Sequence, residues 1–146
     1  MKILWGLAAF FLFSSFTGWE TNFDKAMRSA KAENKFVLLN FSGSDWCGPC
    51  IKLHKDFFEN ESFRTYADKQ LILINADFPR QKKNQISKEL QQQNDHLADS
   101  YNANGSFPLT VLLGQDGKVI KAWEGVPKES VEEFIDEMKS ILSEKR

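Results

Sequence analysis

Cys47 and Cys50 are the two cysteines of this 146-residue chain, with Trp46 before them and Gly48-Pro49 between them. Thiols at that spacing close into a disulfide only if the backbone turns sharply between them. A proline directly before Cys50 suits the first turn of a helix, where its missing N–H costs no intrahelical bond. Cys47 then falls at the helix N-terminus, where unpaired N–H groups and the helix dipole stabilise a thiolate. Cys50 follows one turn later on the same face. Placed so, Cys47 is an activated nucleophile and Cys50 a resolving partner within reach.

The same two residues allow other chemistries. A closed zinc site wants four ligands, and the only further His or Cys side chains are His54 and His96. His54 lies one turn beyond Cys50, whereas His96 falls on a different predicted helix, so no metal is expected. A purely structural bridge of this spacing would close a tiny loop and constrain little of the unfolded chain. Redox chemistry is the reading that remains. His54 itself reads as a surface or half-buried helix residue. Asp45, two residues before Cys47, would raise the thiol's pKa if close, and reads as a loop residue pointing to water.

The elements that must position this pair follow from hydrophobic spacing. Phe23, Ala26, Met27 and Ala30 recur at helical intervals after Asn22, a plausible N-cap. Phe36 to Phe41 is nearly all apolar, as a strand covered on both faces would be. Ile51, Leu53, Phe57 and Phe58 continue the helix after Pro49, and Glu61 to Ala67 is expected to add a short turn. Leu71 to Asp77 reads as a second central strand. Ile86, Leu90, Leu97 and Tyr101 predict a long surface helix from about Gln81 or later to Tyr101. The loop Asn102 to Ser106 leads to Pro108. Strands Leu109–Leu113 and Val119–Trp123 are joined by an Asp116-Gly117 turn. Val131, Phe134, Ile135, Met138, Ile141 and Leu142 form one stripe of a C-terminal helix. Strands alternating with helices, then a hairpin and a helix, indicate an α/β domain of three layers.

The composition fits one small domain: 42% of residues are hydrophobic and 27% charged, without repeats or low-complexity tracts. The first stretch stands apart. Lys2 precedes the apolar run Ile3 to Phe13, and Ser14-Ser15-Phe16-Thr17-Gly18 follows. A positive charge, a short apolar core and small residues describe a secretory signal peptide over residues 1–18, best cut after Thr17. An uncleaved anchor is the alternative, although the run falls short of the roughly 20 apolar residues of a spanning helix. No cysteine lies near it, so a lipid-modified N-terminus is not expected. The domain proper is then 19–146. The chain carries 19 basic and 20 acidic residues, and losing Lys2 leaves it mildly acidic, which argues against a nucleic-acid partner.

Phe36-Val37-Leu38-Leu39-Asn40-Phe41 followed by Trp46-Cys47-Gly48-Pro49-Cys50 resembles the strand, active-site loop and helix of the thioredoxin superfamily. Phe107-Pro108 before Leu109 to Leu113 resembles that family's cis-proline strand, and Gln115-Asp116-Gly117-Lys118 its following turn. The approach Gly43-Ser44-Asp45-Trp46-Cys47 is similar to that of secreted bacterial thioredoxin-like proteins. The resemblance runs roughly from Trp19 to Leu142. It implies a thioredoxin fold, a mixed sheet flanked by helices, with a cis Pro108 beside the dithiol and the backbone of Phe107 pairing with incoming peptide. An ordinary trans proline at a strand start is the alternative. Two positions depart from the pattern. The family's buried aspartate, thought to help deprotonate the resolving cysteine, corresponds to Asn40, and its neighbouring lysine to Leu73. Asn40 cannot ionise, so another group or water must take the proton of Cys50, with Asp45 a weak candidate.

The function expected is an extracytoplasmic thiol–disulfide oxidoreductase without metal or organic cofactor, acting on disulfide-containing proteins as a monomer. Gly48-Pro49 resembles the reducing members of the family. Asp45 would disfavour the Cys47 thiolate and push the same way. An oxidising compartment holds exposed dithiols oxidised unless a membrane thiol–disulfide donor recharges them, so such a donor is expected. The chain ends Ser143-Glu144-Lys145-Arg146, not in an endoplasmic-reticulum retention signal, which favours a bacterial periplasm. Two other readings stand beside this one, one narrower and one of a different class. One is a reductase dedicated to cytochrome c maturation; the other is a non-catalytic peptide-binding or metal-delivery module using the same groove.

Overall fold

The computed structural model describes residues 18–145. The apolar run read as a signal peptide lies outside the described residues. Strand β1 (Phe36–Ser42) is buried along its whole length and occupies an inner position of a four-stranded sheet in the order β2-β1-β3-β4. It pairs in parallel with β2 (Leu71–Asp77) and antiparallel with β3 (Leu109–Leu113), and β3 pairs antiparallel with β4 (Val119–Glu124). Parallel neighbours need a helical crossover, and the segment from the end of β1 to Leu71 supplies it. Glu20 extends the outer side of β2. Its N–H donates to the Leu73 carbonyl at 2.8 Å, and its carbonyl accepts from the Asn75 N–H at 3.0 Å.

Alternating residues of β1 feed two cores, one on each face of the sheet. Phe36 and Leu38 join Leu53, Phe57, Phe58, Phe63, Leu73, Phe134 and Met138. Val37, Leu39 and Phe41 join Ala26, Ala30, Ile74, Leu97, Val111 and Leu113. Helices α1 (Phe23–Glu33) and α4 (Lys88–Tyr101) cover the second face. Helices α2 (Gly48–Leu53), α3 (Glu61–Gln70) and α5 (Val131–Ser143) supply the first. This is the three-layer α/β/α arrangement expected of the thioredoxin fold.

Several helix ends carry recognisable caps. The Asn22 side chain accepts from the Lys25 N–H, and α1 ends at Asn34, whose φ of 53° is the left-handed conformation that asparagine tolerates. Ser130 and Glu133 form a reciprocal capping box at the start of α5. The Ser130 N–H and hydroxyl hold the Glu133 carboxyl below its ordinary range.

One expectation is corrected here. Glu61 onward is not a short turn but the ten-residue helix α3, capped by the Asn60 side chain, which accepts from the N–H groups of Ser62 and Phe63. Only Phe63 and Ala67 of this helix are fully buried, so its apolar stripe is thin, and the cap plus that i,i+4 pair was the available signal. The long helix runs from Lys88 to Tyr101, within the expected bounds. Ser87 caps it by accepting from the Leu90 N–H. Residues 82–84 form a separate 3-10 turn. The N–H groups of Arg80 and Gln81 are engaged by the Asp45 carboxylate, a partner distant in sequence that periodicity does not reveal.

The first core is rich in aromatic rings, with Phe134 at its centre. Its centroid lies 5.8 Å from Phe57, 5.1 Å from Trp123 and 6.5 Å from Phe63. Truncating a fully buried phenylalanine costs about 3–5 kcal/mol through lost burial and the cavity left behind. Phe134→Ala is therefore expected to lower the urea midpoint by that equivalent with an unchanged slope. A midpoint equal to that of the unsubstituted chain would show that α5 does not close this core.

Candidate active site

The dithiol sits where β1 hands over to α2. Cys47 is the N-cap of α2, with extended backbone, and its Sγ accepts from the Cys50 N–H at 3.2 Å. Gly48 and Pro49 occupy the first helical turn, where proline loses no hydrogen bond. Cys47 and Cys50 are joined as a disulfide with their Cα atoms 5.2 Å apart. Both are nearly covered, at 5% and 3% exposure, while Gly48 and Pro49 are exposed.

The loop that delivers Cys47 is fastened at three points. The Gly43 carbonyl accepts from the N–H groups of Trp46 and Cys47. The Asp77 carboxylate, at the end of β2, accepts from the Ser44 N–H at 2.9 Å and from the Ser44 hydroxyl. The Trp46 indole N–H donates to the Phe78 carbonyl at 2.7 Å. The Trp46 ring folds back over Gly43 so closely that a Cβ there would fall 2.3 Å from Cε2 of the indole. Only glycine fits at position 43 without moving that ring.

Asp45 does not point idly into water. Its carboxylate accepts from the Arg80 and Gln81 N–H groups at 2.9 Å each and from the Asn84 amide at 3.0 Å. The Arg80 N–H bond, with the bonds from Asn84 and Gln81, holds this carboxyl below its ordinary value. Asp45 thus clips the 80–84 segment beside the active site. The Arg80 guanidinium lies 3.7 Å from the centre of the Trp46 ring, a cation–π contact that sequence reading missed and that no local signal announced.

The Phe107–Pro108 peptide bond, which leads into β3, is cis. Phe107 meets Trp46 edge-on at 5.5 Å and Phe78 at 5.4 Å, so the proline loop and the Cys47 loop share one aromatic wall. The pairing of Leu109 with Phe41 brings Pro108 to the end of β1 from which Cys47 departs.

Asn40 is buried at 5% exposure on β1. Its amide donates to the Thr110 hydroxyl at 3.1 Å and more weakly to the Leu109 carbonyl at 3.4 Å. Here it is a neutral tie between β1 and β3. Leu73 is packed in the first core. The pair of positions therefore offers Cys50 no ionisable neighbour. Cys50 instead lines an open cleft of about 510 Å³ together with Ser42, Asn75, His54, Lys55 and Glu59. His96 lies on α4, exposed. Among the described residues no group of three or more His, Cys, Asp or Glu could hold a metal ion.

The Asp45 clip has a pH signature. A carboxyl depressed on folding contributes stability that is present above its unfolded value, near 3.8, and is lost as pH falls through the lower folded value. Segment 80–84 should stay ordered from neutral pH down to about 4 and loosen below it. Asp45→Ala is expected to expose the Arg80-Gln81 bond to trypsin several-fold faster at neutral pH. Equal cleavage rates in both proteins would remove Asp45 from this role.

Sequence and fold comparisons agree with this geometry. A family model described as a thioredoxin-like domain matches residues 23–141. The chain is 32% identical over 124 residues to "Disulfide bond reductase DsbH" of Chlamydia pneumoniae, covering 85% of this chain and 72% of that protein. It is 26% identical to "Thioredoxin-related protein DsbJ" of the same organism, over 70% of this chain but only 28% of that longer protein. Among solved structures, "DsbH Oxidoreductase" superposes with a TM-score of 0.78 at 28% identity, over 86% of this chain and 84% of that one. A thioredoxin from Thermus thermophilus shares the fold with a TM-score of 0.62 at 15% identity, over 87% and 88% of the two chains. The chain belongs to the thioredoxin-like domain family.

Proposed function

We propose that this protein reduces protein disulfides outside the cytoplasm, with Cys47 as the attacking thiol and Cys50 as the resolving one. The observation that carries this reading is the Cys47–Cys50 disulfide at the start of α2, beside the cis Phe107–Pro108 bond. Cys47, as thiolate at the helix N-terminus, attacks one sulfur of a substrate disulfide and expels the other as a thiolate. Cys50 gives up its proton and attacks Cys47 Sγ, which releases the second substrate thiolate. Two electrons pass from the dithiol to the substrate, and the protein is left oxidised. A thiol–disulfide donor in the membrane then restores the dithiol.

The wall formed by Trp46, Phe78 and Phe107 suits an extended peptide lying across Pro108, with the Phe107 backbone in reach of its amides. The Gly48-Pro49 dipeptide and the likeness to a disulfide bond reductase favour reduction over oxidation. The apolar run behind Lys2 favours export through a signal peptide cut after Thr17. No helix of the described residues is long and apolar enough to cross a membrane.

One preparation tests both parts, the protein recovered from its native compartment. Intact mass should give a chain beginning near Gly18, and a retained Met1 would contradict export with cleavage. Equilibrated against glutathione, its Cys47–Cys50 couple should lie well below about −180 mV, toward the value near −270 mV of thioredoxin. A potential near −120 mV would make it an oxidase.

A further inference from the structure

In the reaction proposed above, the proton of Cys50 must leave a thiol that is 3% exposed. The carboxylates near the active-site loop are committed elsewhere. Asp77 accepts from Ser44 and from the Phe78 N–H. Asp45 accepts three hydrogen bonds that depress its pKa and make it a poor base. Asn40 cannot ionise. The route left open is the cleft on which Cys50 lies, whose Ser42 and Asn75 side chains are polar and whose volume of about 510 Å³ admits water.

Among the described residues, three titratable side chains besides Cys50 line that cleft: His54, Lys55 and Glu59. Lysine is protonated at neutral pH and has no lone pair to offer, and a carboxylate is a weak base there. Histidine is the side chain whose ordinary titration falls between pH 5 and 8. His54 is one turn beyond Cys50, and its N–H donates to the Cys50 carbonyl. Side chains so spaced share a helix face.

The backbone at this point is unusual. Residues His54–Phe58 form a π-helical turn in which the Glu59 N–H donates to the His54 carbonyl at 2.9 Å. In an α-helix residues five apart diverge, whereas the wider π turn brings them over one another. The result is that Glu59 Oε1 lies 3.6 Å from His54 Nε2, beyond hydrogen-bond reach and at ion-pair distance once the imidazole is protonated. Trp19 and Phe58 flank the imidazole at centroid distances of 6.0 and 6.2 Å. Its side chain is 54% exposed.

We propose that His54, whose imidazolium form Glu59 faces across the π turn, accepts the Cys50 proton through water in this cleft during resolution of the mixed disulfide. The thiol proton passes by way of water to the imidazole nitrogen not facing Glu59. The Cys50 electron pair then forms the bond to Cys47 Sγ, and the substrate sulfur departs as thiolate. The imidazolium returns its proton to solvent. His54 is a proton acceptor acting through water and does not touch the reacting sulfurs.

The reduced protein mixed with dithionitrobenzoate in stopped flow separates the steps. The first release of thionitrobenzoate reports attack by Cys47, and the second reports resolution by Cys50. In His54→Gln the first phase should be unchanged and the second slowed at least about tenfold, below the 10²–10⁴ range typical of direct general-base catalysis because water intervenes. The second phase should also lose a pH inflection present in the unsubstituted protein. In His54→Ala, added imidazole should restore the second phase, while an equal ionic strength of salt should not. An unchanged second phase in His54→Gln, an equal fall of both phases, or failure of imidazole to rescue would overturn the role of His54 and leave the dithiol chemistry standing. A first phase that labels Cys50 in the unsubstituted protein would instead overturn the assignment of Cys47 as the attacking thiol, on which the proposal rests.

Discussion

Phe41 faces Leu109 across the antiparallel pairing of β1 and β3, and the reactive end of the molecule is assembled from that register. β1 leaves the sheet at Ser42 toward Cys47, and β3 enters it just after the cis proline. Because the two strands run in opposite directions, the exit of one and the entry of the other meet at one edge. A slip of one residue would turn every side chain of β3 to the wrong face, carrying Thr110 away from Asn40 and Val111 out of the second core. The parallel pairing of β1 with β2 does the same for Asp77, which lies opposite Ser42 and reaches the loop that follows it.

Upon that frame, polar side chains fasten what the strands bring close. Asp77 holds Ser44, Asp45 holds residues 80–84, the Trp46 indole holds the Phe78 carbonyl, and buried Asn94 on α4 donates to the Asp77 carbonyl at 3.0 Å. These carboxylates and amides serve position. Two consequences follow for the chemistry. The negative charge of Asp45 is already met by N–H dipoles, which reduces its influence on a Cys47 thiolate, and the Arg80 cation on Trp46 adds a positive charge on the same side. In the proposed resolution step the proton of Cys50 is left to the cleft on which that residue lies.

Much of this was legible in the chain, for reasons that are physical. The strands β1, β2 and β3 are runs of large apolar residues that only a doubly covered sheet can bury, and the stripe from Val131 to Leu142 has a single helical period. The thiol pair with its proline announced both the helix start and the chemistry. What periodicity missed depends on contacts between residues far apart in sequence. The Asp45 clip withholds residues 81–87 from α4, the Arg80 guanidinium finds Trp46, and the π turn at His54 places Glu59 against an imidazole that its sequence neighbours mark only as a surface residue. Helix α3 was underread because it buries two side chains where its length needed more to stand out. Asn40 was recognisable as a departure from the family pattern, but its partners, Thr110 and the Leu109 carbonyl, required the strand register.

The asymmetry between the two cysteines is the centre of this account. Cys47 stands at the helix N-terminus on the side of Pro108 and the aromatic wall, and Cys50 stands a turn inside, against the cleft. That division of labour is tested most directly by reacting Cys50→Ser and Cys47→Ser variants with a disulfide-containing protein such as insulin and resolving the products by non-reducing mass spectrometry. The account predicts a stable mixed disulfide through Cys47 in Cys50→Ser and little or none in Cys47→Ser. Equal trapping by both variants, or trapping through Cys50 alone, would contradict it.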